Sequence, residues 1–232
     1  MKRSYLIWKM NKKTILVWFR NDLRICDNEV LSLANERAQA ILPVFIYDSR
    51  LYSDTKYETR KTGVIRARFI NESVQDLQRS IRSYQGELLI EKGLPEEIIP
   101  ELVRRYDVDE VYHHREVAYE ETQVSSLVEE ALWKLRINLR HFIGHTLYHK
   151  EDLPFPIKDI PDEFNIFKNK TSRESSIRPC IPMPGDYKFL KGLYLVFSLN
   201  FRVLNCIPLI QSWLCQNSLF FYSIHFQVQE LP

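Results

Sequence analysis

The sequence predicts an α/β domain built on a five-stranded parallel sheet with helices on both faces, followed by an extended Pro-rich linker and an irregular C-terminal tail. Two observations predict the domain. Short apolar runs rich in β-formers alternate with longer segments whose apolar residues recur at helical spacing. The connections are long enough for crossover helices, and no internal repeat interrupts the alternation. A third observation sets the limit of the pattern: prolines gather between Leu153 and Pro184 and the alternation stops.

Thr14 to Phe19 (TILVWF) is a continuous apolar run and reads as a buried strand. A polar turn follows, Arg20 to Asp27. The next segment, Asn28 to Gln39, carries Val30, Leu31, Leu33, Ala34 and Ala38 at helical spacing, with Asp27 or Asn28 as the N-cap. Ile41 to Ile46 is a second apolar strand, ending in the polar run Tyr47 to Arg50. Lys61 to Tyr84 is a long helix with Ile65, Phe69, Ile70, Val74, Leu77 and Ile81 on its apolar face, stopped by Gly86.

Glu87 to Glu91 is a short strand. Pro95 opens a helix at the favoured first-turn position, and that helix runs to Tyr106. Glu110 to His114 is a strand, Tyr119 to Leu135 a helix, and Ile137 to Ile143 the fifth strand. Each crossover is expected to be right-handed, with ligands at the carboxyl ends of the strands near a reversal of strand order. Domain boundaries are set at 14–145 for the α/β domain, 146–186 for the linker, with a short helical piece near Asp162 to Lys170, and 187–232 for the tail.

The tail holds four charged residues, Lys188, Lys191, Arg202 and Glu230, and shows no clean period. Polar interruptions at Asn200, Arg202 and Asn205 argue against a spanning helix. With no partner in sequence to bury against, it reads as the product of a shifted frame or a retained intron. The basic start, Met1 to Lys13, lacks the apolar core of a secretory signal, and Met10 is a candidate start of translation.

Among 232 residues, 45% are hydrophobic and 27% charged, with net charge +2, so no global field favours nucleic acid or membranes. The location expected is soluble, intracellular and cytoplasmic, with nuclear, plastid and mitochondrial destinations undecided. Cys26, Cys180, Cys206 and Cys215 show neither a C-x-x-C pair nor zinc spacing and read as reduced thiols.

The first βα turn has no glycine: Arg20-Asn21-Asp22-Leu23-Arg24 stands where a dinucleotide fold needs G-x-G-x-x-G, and no P-loop motif is present. Arg20, Asp22 and Arg24 cluster there, as a polar ligand site or as an ion-pair network bracing the turn. His113 and His114 are adjacent on a strand and face opposite sides, so they do not chelate one metal together. The four-residue spacing of His141, His145 and His149 is broken by Gly144 and strand-like neighbours. Glu116 follows the fourth strand at its carboxyl end, where its carboxylate is placed to accept from the N–H groups of a pterin or purine ring. A solvated loop glutamate is the plainer alternative. Glu120 and Glu121, at a helix start, complement the helix dipole.

At these residues the chain resembles the photolyase/cryptochrome family. Val17-Trp18-Phe19-Arg20-Asn21-Asp22-Leu23-Arg24 followed by Asp27-Asn28-Glu29-Val30-Leu31 is similar to its W-F-R-x-D-L-R-x-x-D-N-x-x-L signature. Arg66 to Val74 resembles the family's R-A-x-F-L-x-E-S-L stretch. Thr146 to Phe155 and Pro161 to Lys168 resemble the DASH subgroup. The resemblance covers residues 14 to 184 and implies an antenna domain that holds methenyltetrahydrofolate, with Glu116 on the pterin and Glu120 as second choice. It also implies that FAD, the electron-transfer tryptophans and the groove for damaged, single-stranded DNA belong to a downstream helical domain not recognisable here. Trp213 inherits no such role.

The chain is therefore expected to be a truncated cryptochrome-DASH or photolyase that binds the folate weakly, does not bind FAD, and lacks photorepair. Whether it is an enzyme is left open, since it resembles deoxyribodipyrimidine photolyase without its flavin domain. The competing expectation is a free-standing binding or regulatory module, forming a homo-oligomer through the exposed interdomain face. A small α/β enzyme of another kind ranks last, because no nucleophile–base pair or metal cluster stands out.

Overall fold

Thr14–Phe19 forms β1, and all six residues are buried, because neighbours flank this strand in the sheet and helices cover both of its faces. A computed structural model describes residues 13–144 and 146–191. In chain order, β1 is followed by α1 (Glu29–Arg37), β2 (Ala40–Asp48), α2 (Val64–Ser83), β3 (Leu89–Gly93) and α3 (Pro95–Tyr106). Then come β4 (Glu110–His114), α4 (Tyr119–Trp133), β5 (Asn138–Phe142) and α5 (Phe164–Glu174). The five strands are parallel in the order β3-β2-β1-β4-β5. The chain winds outward from β1 to β3 and then returns to β4 on the other side of β1. The reversal opens a crevice at the carboxyl ends of β1 and β4.

Side-chain alternation divides the core. Ile15, Val17 and Phe19 pack with Val30, Leu31 and Ala34 of α1 and with Val74, Leu77 and Ile81 of α2. Leu16 and Trp18 pack on the opposite face with Ile99 and Leu102 of α3 and Val128 and Leu132 of α4. Asn28 caps α1: its Oδ1 accepts from the Leu31 N–H at 3.0 Å. Pro95 stands in the first turn of α3, which ends at Asp107 in the left-handed region (φ 55°).

Several expectations are corrected. β2 runs two residues past Ile46, because Tyr47 is buried among core aromatics despite its polar hydroxyl. β3 begins at Leu89 rather than Glu87. Glu87 is 1% exposed, held by both nitrogens of an Arg82 fork and by Gln78. On α2, Ile65 and Phe69 share the helical spacing of the core residues yet are 87% and 69% exposed; the buried set is Ala67, Asn71, Val74, Leu77 and Ile81. That helix stops at Ser83, and Gln85 takes the left-handed conformation expected near Gly86.

The helical piece expected in the Pro-rich stretch is α5, and the stretch departs from an extended form also at short 3₁₀ turns, Lys150–Asp152 and Ile157–Asp159. Phe155 packs on Phe167, with ring centroids 5.7 Å apart, and Arg178 pairs with Asp152 at 2.5 Å. The chain then straps back onto the amino end of β2. The Ile41 N–H donates to the Lys188 carbonyl at 2.7 Å, and the Leu190 N–H donates to the Ile41 carbonyl at 2.8 Å. Tyr187 and Phe189 enter the core, so the first residues assigned to the tail do find a partner to bury against. The rest of the tail, with Cys206, Trp213 and Cys215, lies outside the described residues, as do Met10 and His145. Among the described residues no helix is long and apolar enough to cross a membrane.

Candidate functional site

The turns leaving β1 and β4 meet over the crevice. The Asn21 Nδ2 donates to Glu116 Oε1 at 2.9 Å, joining the two sides of the reversal. Arg20 follows the alternation of Trp18 and points to the α4 side. Its guanidinium lies 4.8 Å from the Trp18 ring centroid and donates to the Ser125 hydroxyl at 2.9 Å and to the Glu121 carbonyl at 3.2 Å. Burial lowers the Arg20 pKa, opposed by Glu116, Glu121 and Asp22. Asp22 accepts the Arg20 backbone N–H at 3.1 Å, and burial pushes its carboxyl up to about 6. The residues grouped in sequence as Arg20, Asp22 and Arg24 therefore diverge: Arg20 braces α4, Asp22 braces its own turn, and Arg24 pairs with Asp27 at 3.8 Å.

A cleft of about 400 Å³ opens between the carboxyl ends of β1 and β2 and the starts of α2 and α4. Its walls include Trp18, Tyr47, Tyr52, Phe69 and Tyr119. Glu120 lines it and is paired with Lys61 at 2.5 Å, whereas Glu116 and Asp22 stand outside it. Arg50 closes one corner, forking onto Asp48 at 2.7 Å and Glu96 at 2.9 Å. Burial raises the Tyr47 hydroxyl far above its ordinary range and pushes Tyr52 up to about 12, so both are neutral donors at physiological pH. A second, more polar cleft of about 320 Å³ is lined by Asp22, Arg24, His114, His149 and Arg178.

The four candidates chosen from sequence thus fall in three places. Glu116 lies at the crevice, Asp22 lines the second cleft, and Arg20 and Glu120 line the aromatic cleft. The aromatic wall has no motif of its own in the sequence. Tyr47 to Arg50 reads as a polar strand end, and only its place at the carboxyl end of β2 signals a ligand site. His113 and His114 do face opposite ways. His113 stacks on Trp18, and His114 Nε2 lies against Gly144. Among the described residues, no three His, Cys, Asp or Glu side chains are placed to hold a metal ion. Cys26 and Cys180 are free and exposed.

The sequence profile of the DNA photolyase family matches residues 15–185. The chain belongs to this family. Relatives include a cryptochrome DASH of Gloeobacter violaceus, 41% identical over 175 residues, covering 75% of this chain and 35% of the relative. A blue-light photoreceptor of Arabidopsis thaliana is 38% identical over 162 residues, covering 70% and 36%. Among solved structures, a Synechocystis cryptochrome superposes with a TM-score of 0.73 at 40% identity, covering 77% of this chain and 37% of that one. A photolyase of Sulfolobus tokodaii, described with two FAD molecules, shares the fold at a TM-score of 0.65 and 21% identity, covering 82% and 41%. The chain spans about a third of the length of the curated relatives it matches. The match in this photolyase-family chain takes in the five-stranded α/β domain and continues through α5.

Proposed function

We propose that this domain holds the light-harvesting chromophore of a cryptochrome-DASH-type protein, and that methenyltetrahydrofolate is its ligand. The observation that carries the reading is the Asn21–Glu116 hydrogen bond across the strand-order reversal. A carboxylate accepts only, and an amide both donates and accepts. Together they suit the adjacent N–H and carbonyl groups along a pterin edge. Asn21 is exposed and Glu116 half-buried, so the folate would lie in a shallow, half-open site and bind weakly unless further protein covered it.

A specific observation favours a second reading, in which a flavin occupies the aromatic cleft. The cleft volume falls within the range of cofactor pockets, and its aromatic walls suit a planar ring. The Sulfolobus photolyase, which shares this fold, is described with two FAD molecules and a novel light-harvesting cofactor, and that supports the reading.

Flavin photochemistry on damaged single-stranded DNA, whether for repair or for blue-light signalling, is assigned to the part of the relatives beyond the matched third. The purified chain is then inert toward cyclobutane dimers under blue light. Exposed Leu147, Ile157, Ile160 and Phe164 offer an apolar face for a homo-oligomer, and a cytoplasmic location completes the reading.

The experiment is an absorption spectrum of the purified chain after incubation with methenyltetrahydrofolate and FAD and removal of excess. A retained folate band that is lost in Glu116→Ala supports the first reading. A retained flavin band supports the second. A chain that keeps neither chromophore would mean that this domain is no antenna on its own.

A further inference from the structure

Four basic side chains line the aromatic cleft: Arg20, Arg50, Lys61 and Arg66. Three are already satisfied. Arg20 donates to the Ser125 hydroxyl and the Glu121 carbonyl, with the Glu116, Glu121 and Asp22 carboxylates acting on its charge. Arg50 is forked between Asp48 and Glu96. Lys61 is paired with Glu120. Arg66 differs. Among the described residues it has no carboxylate within ion-pair distance, and the positions one turn further along α2 are Phe69 and Ile70, both apolar walls of the cleft. Arg68, two residues away on the same helix, shows the contrast: it is paired with Glu72 at 2.7 Å. The charge of Arg66 acts on the Tyr52 hydroxyl, which also lines the cleft. The cleft thus joins aromatic walls to one cation that no acidic side chain neutralises.

We propose that Arg66 is the anion anchor of this cleft and makes it select a flavin that carries a phosphate over a neutral one. The assignment rests on the flavin reading above. A planar guanidinium presents two parallel N–H groups to a phosphate, a geometry that a carboxylate partner would otherwise occupy. The ring stays against the aromatic walls, and the phosphate reaches the start of α2. Because Arg66 is exposed, its replacement leaves the core of the domain undisturbed.

The test titrates the full chain separately with riboflavin and with flavin mononucleotide at low ionic strength, following flavin fluorescence. The mononucleotide is expected to bind about tenfold more tightly than riboflavin. That ratio is expected to fall to near one in Arg66→Gln and to recover in part in Arg66→Lys. It stays unchanged in Arg68→Gln, which alters the same helix outside the cleft. Equal binding of the two flavins by the unaltered chain, or an unchanged ratio in Arg66→Gln, overturns the anchor and leaves the flavin site standing. Failure of both flavins to bind overturns the flavin reading and the anchor with it.

Discussion

The imidazoles of His113 and His141 meet edge-on between β4 and β5, with Nε2 of the first 2.8 Å from Nδ1 of the second. One ring donates and the other accepts, so the pair fixes complementary tautomers. On its other side His113 stacks on Trp18 at 5.2 Å, and Trp18 in turn carries the Arg20 guanidinium. His141 faces Glu129 at 3.8 Å, with Arg115 acting on it from the turn after β4.

This stack makes the domain acid-sensitive at one residue. Burial, then the neighbouring His141 and Arg20, push the His113 pKa down to about 3. Between pH 6.5 and about 3 the unfolded chain takes up a proton that the folded chain refuses. Stability is therefore lost as pH falls through that window, at about 1.4 kcal/mol for each unit of pH. His113→Phe keeps the stack on Trp18 and removes the titration. Urea unfolding between pH 4 and pH 7 is expected to show a shallower pH slope for this variant. Parallel slopes for the two proteins would count against His113 as the source.

Asp22 works in the opposite direction. Its carboxyl is pushed up to about 6, so the folded chain holds the proton longer than the unfolded chain, whose carboxyl titrates near 4. Stability is present below pH 4 and is lost as pH rises through 6. Asp22→Asn still accepts the Arg20 N–H and carries no charge. It is expected to exceed the unaltered chain by about 1–3 kcal/mol at pH 8 and to match it near pH 4. Unfolding curves at those two pH values decide the matter; a difference of the same size at both would refute it.

Gly86 lies flat against the strap. A Cβ added there would fall 2.5 Å from Cδ2 and 2.6 Å from Cγ of Phe189, inside the ring's own space. Gly86→Ala is expected to cost about 1–3 kcal/mol through overpacking. Phe189→Leu in the same chain is expected to recover part of that loss, so the two changes are non-additive. Thermal unfolding of the two single variants and the double variant measures the coupling. Full additivity would separate the two residues.

The elements that sequence placed well are those whose two faces share one environment. β1 is apolar at all six positions because helices cover it on both sides, and no periodicity has to be interpreted. Where burial depends on a distant partner, spacing misleads. Glu87 looks like the start of a strand, but it is a buried carboxylate neutralised by Arg82 from the preceding helix. Ile65 and Phe69 keep the helical period while facing a cleft in place of the core. Tyr187 and Phe189 sit in a segment without period, and only the fold supplies the surface they cover.

At the site, the carboxyl-end rule located Glu116 correctly with respect to the sheet. It did not reveal Asn21 as its partner, because the two are 95 positions apart and meet only through the β1–β4 neighbourhood. The Lys61–Glu120 pair and the uncompensated Arg66 arise in the same way, from a loop and two helix starts converging over the sheet.

The strap also fixes where the last described residues lie on the domain. Leu190 is bonded to Ile41, at the amino end of β2, while Tyr47 and Asp48 line the aromatic cleft at the other end of the same strand. The two lie at opposite poles of the sheet, separated by roughly 3.3 Å for each intervening residue. A pull applied at Lys191 would load the two Ile41 hydrogen bonds in shear and draw on Phe189 beneath Gly86, leaving the cleft outside the line of force. Mechanically, the domain has its anchor point at one end and its aromatic cleft at the other.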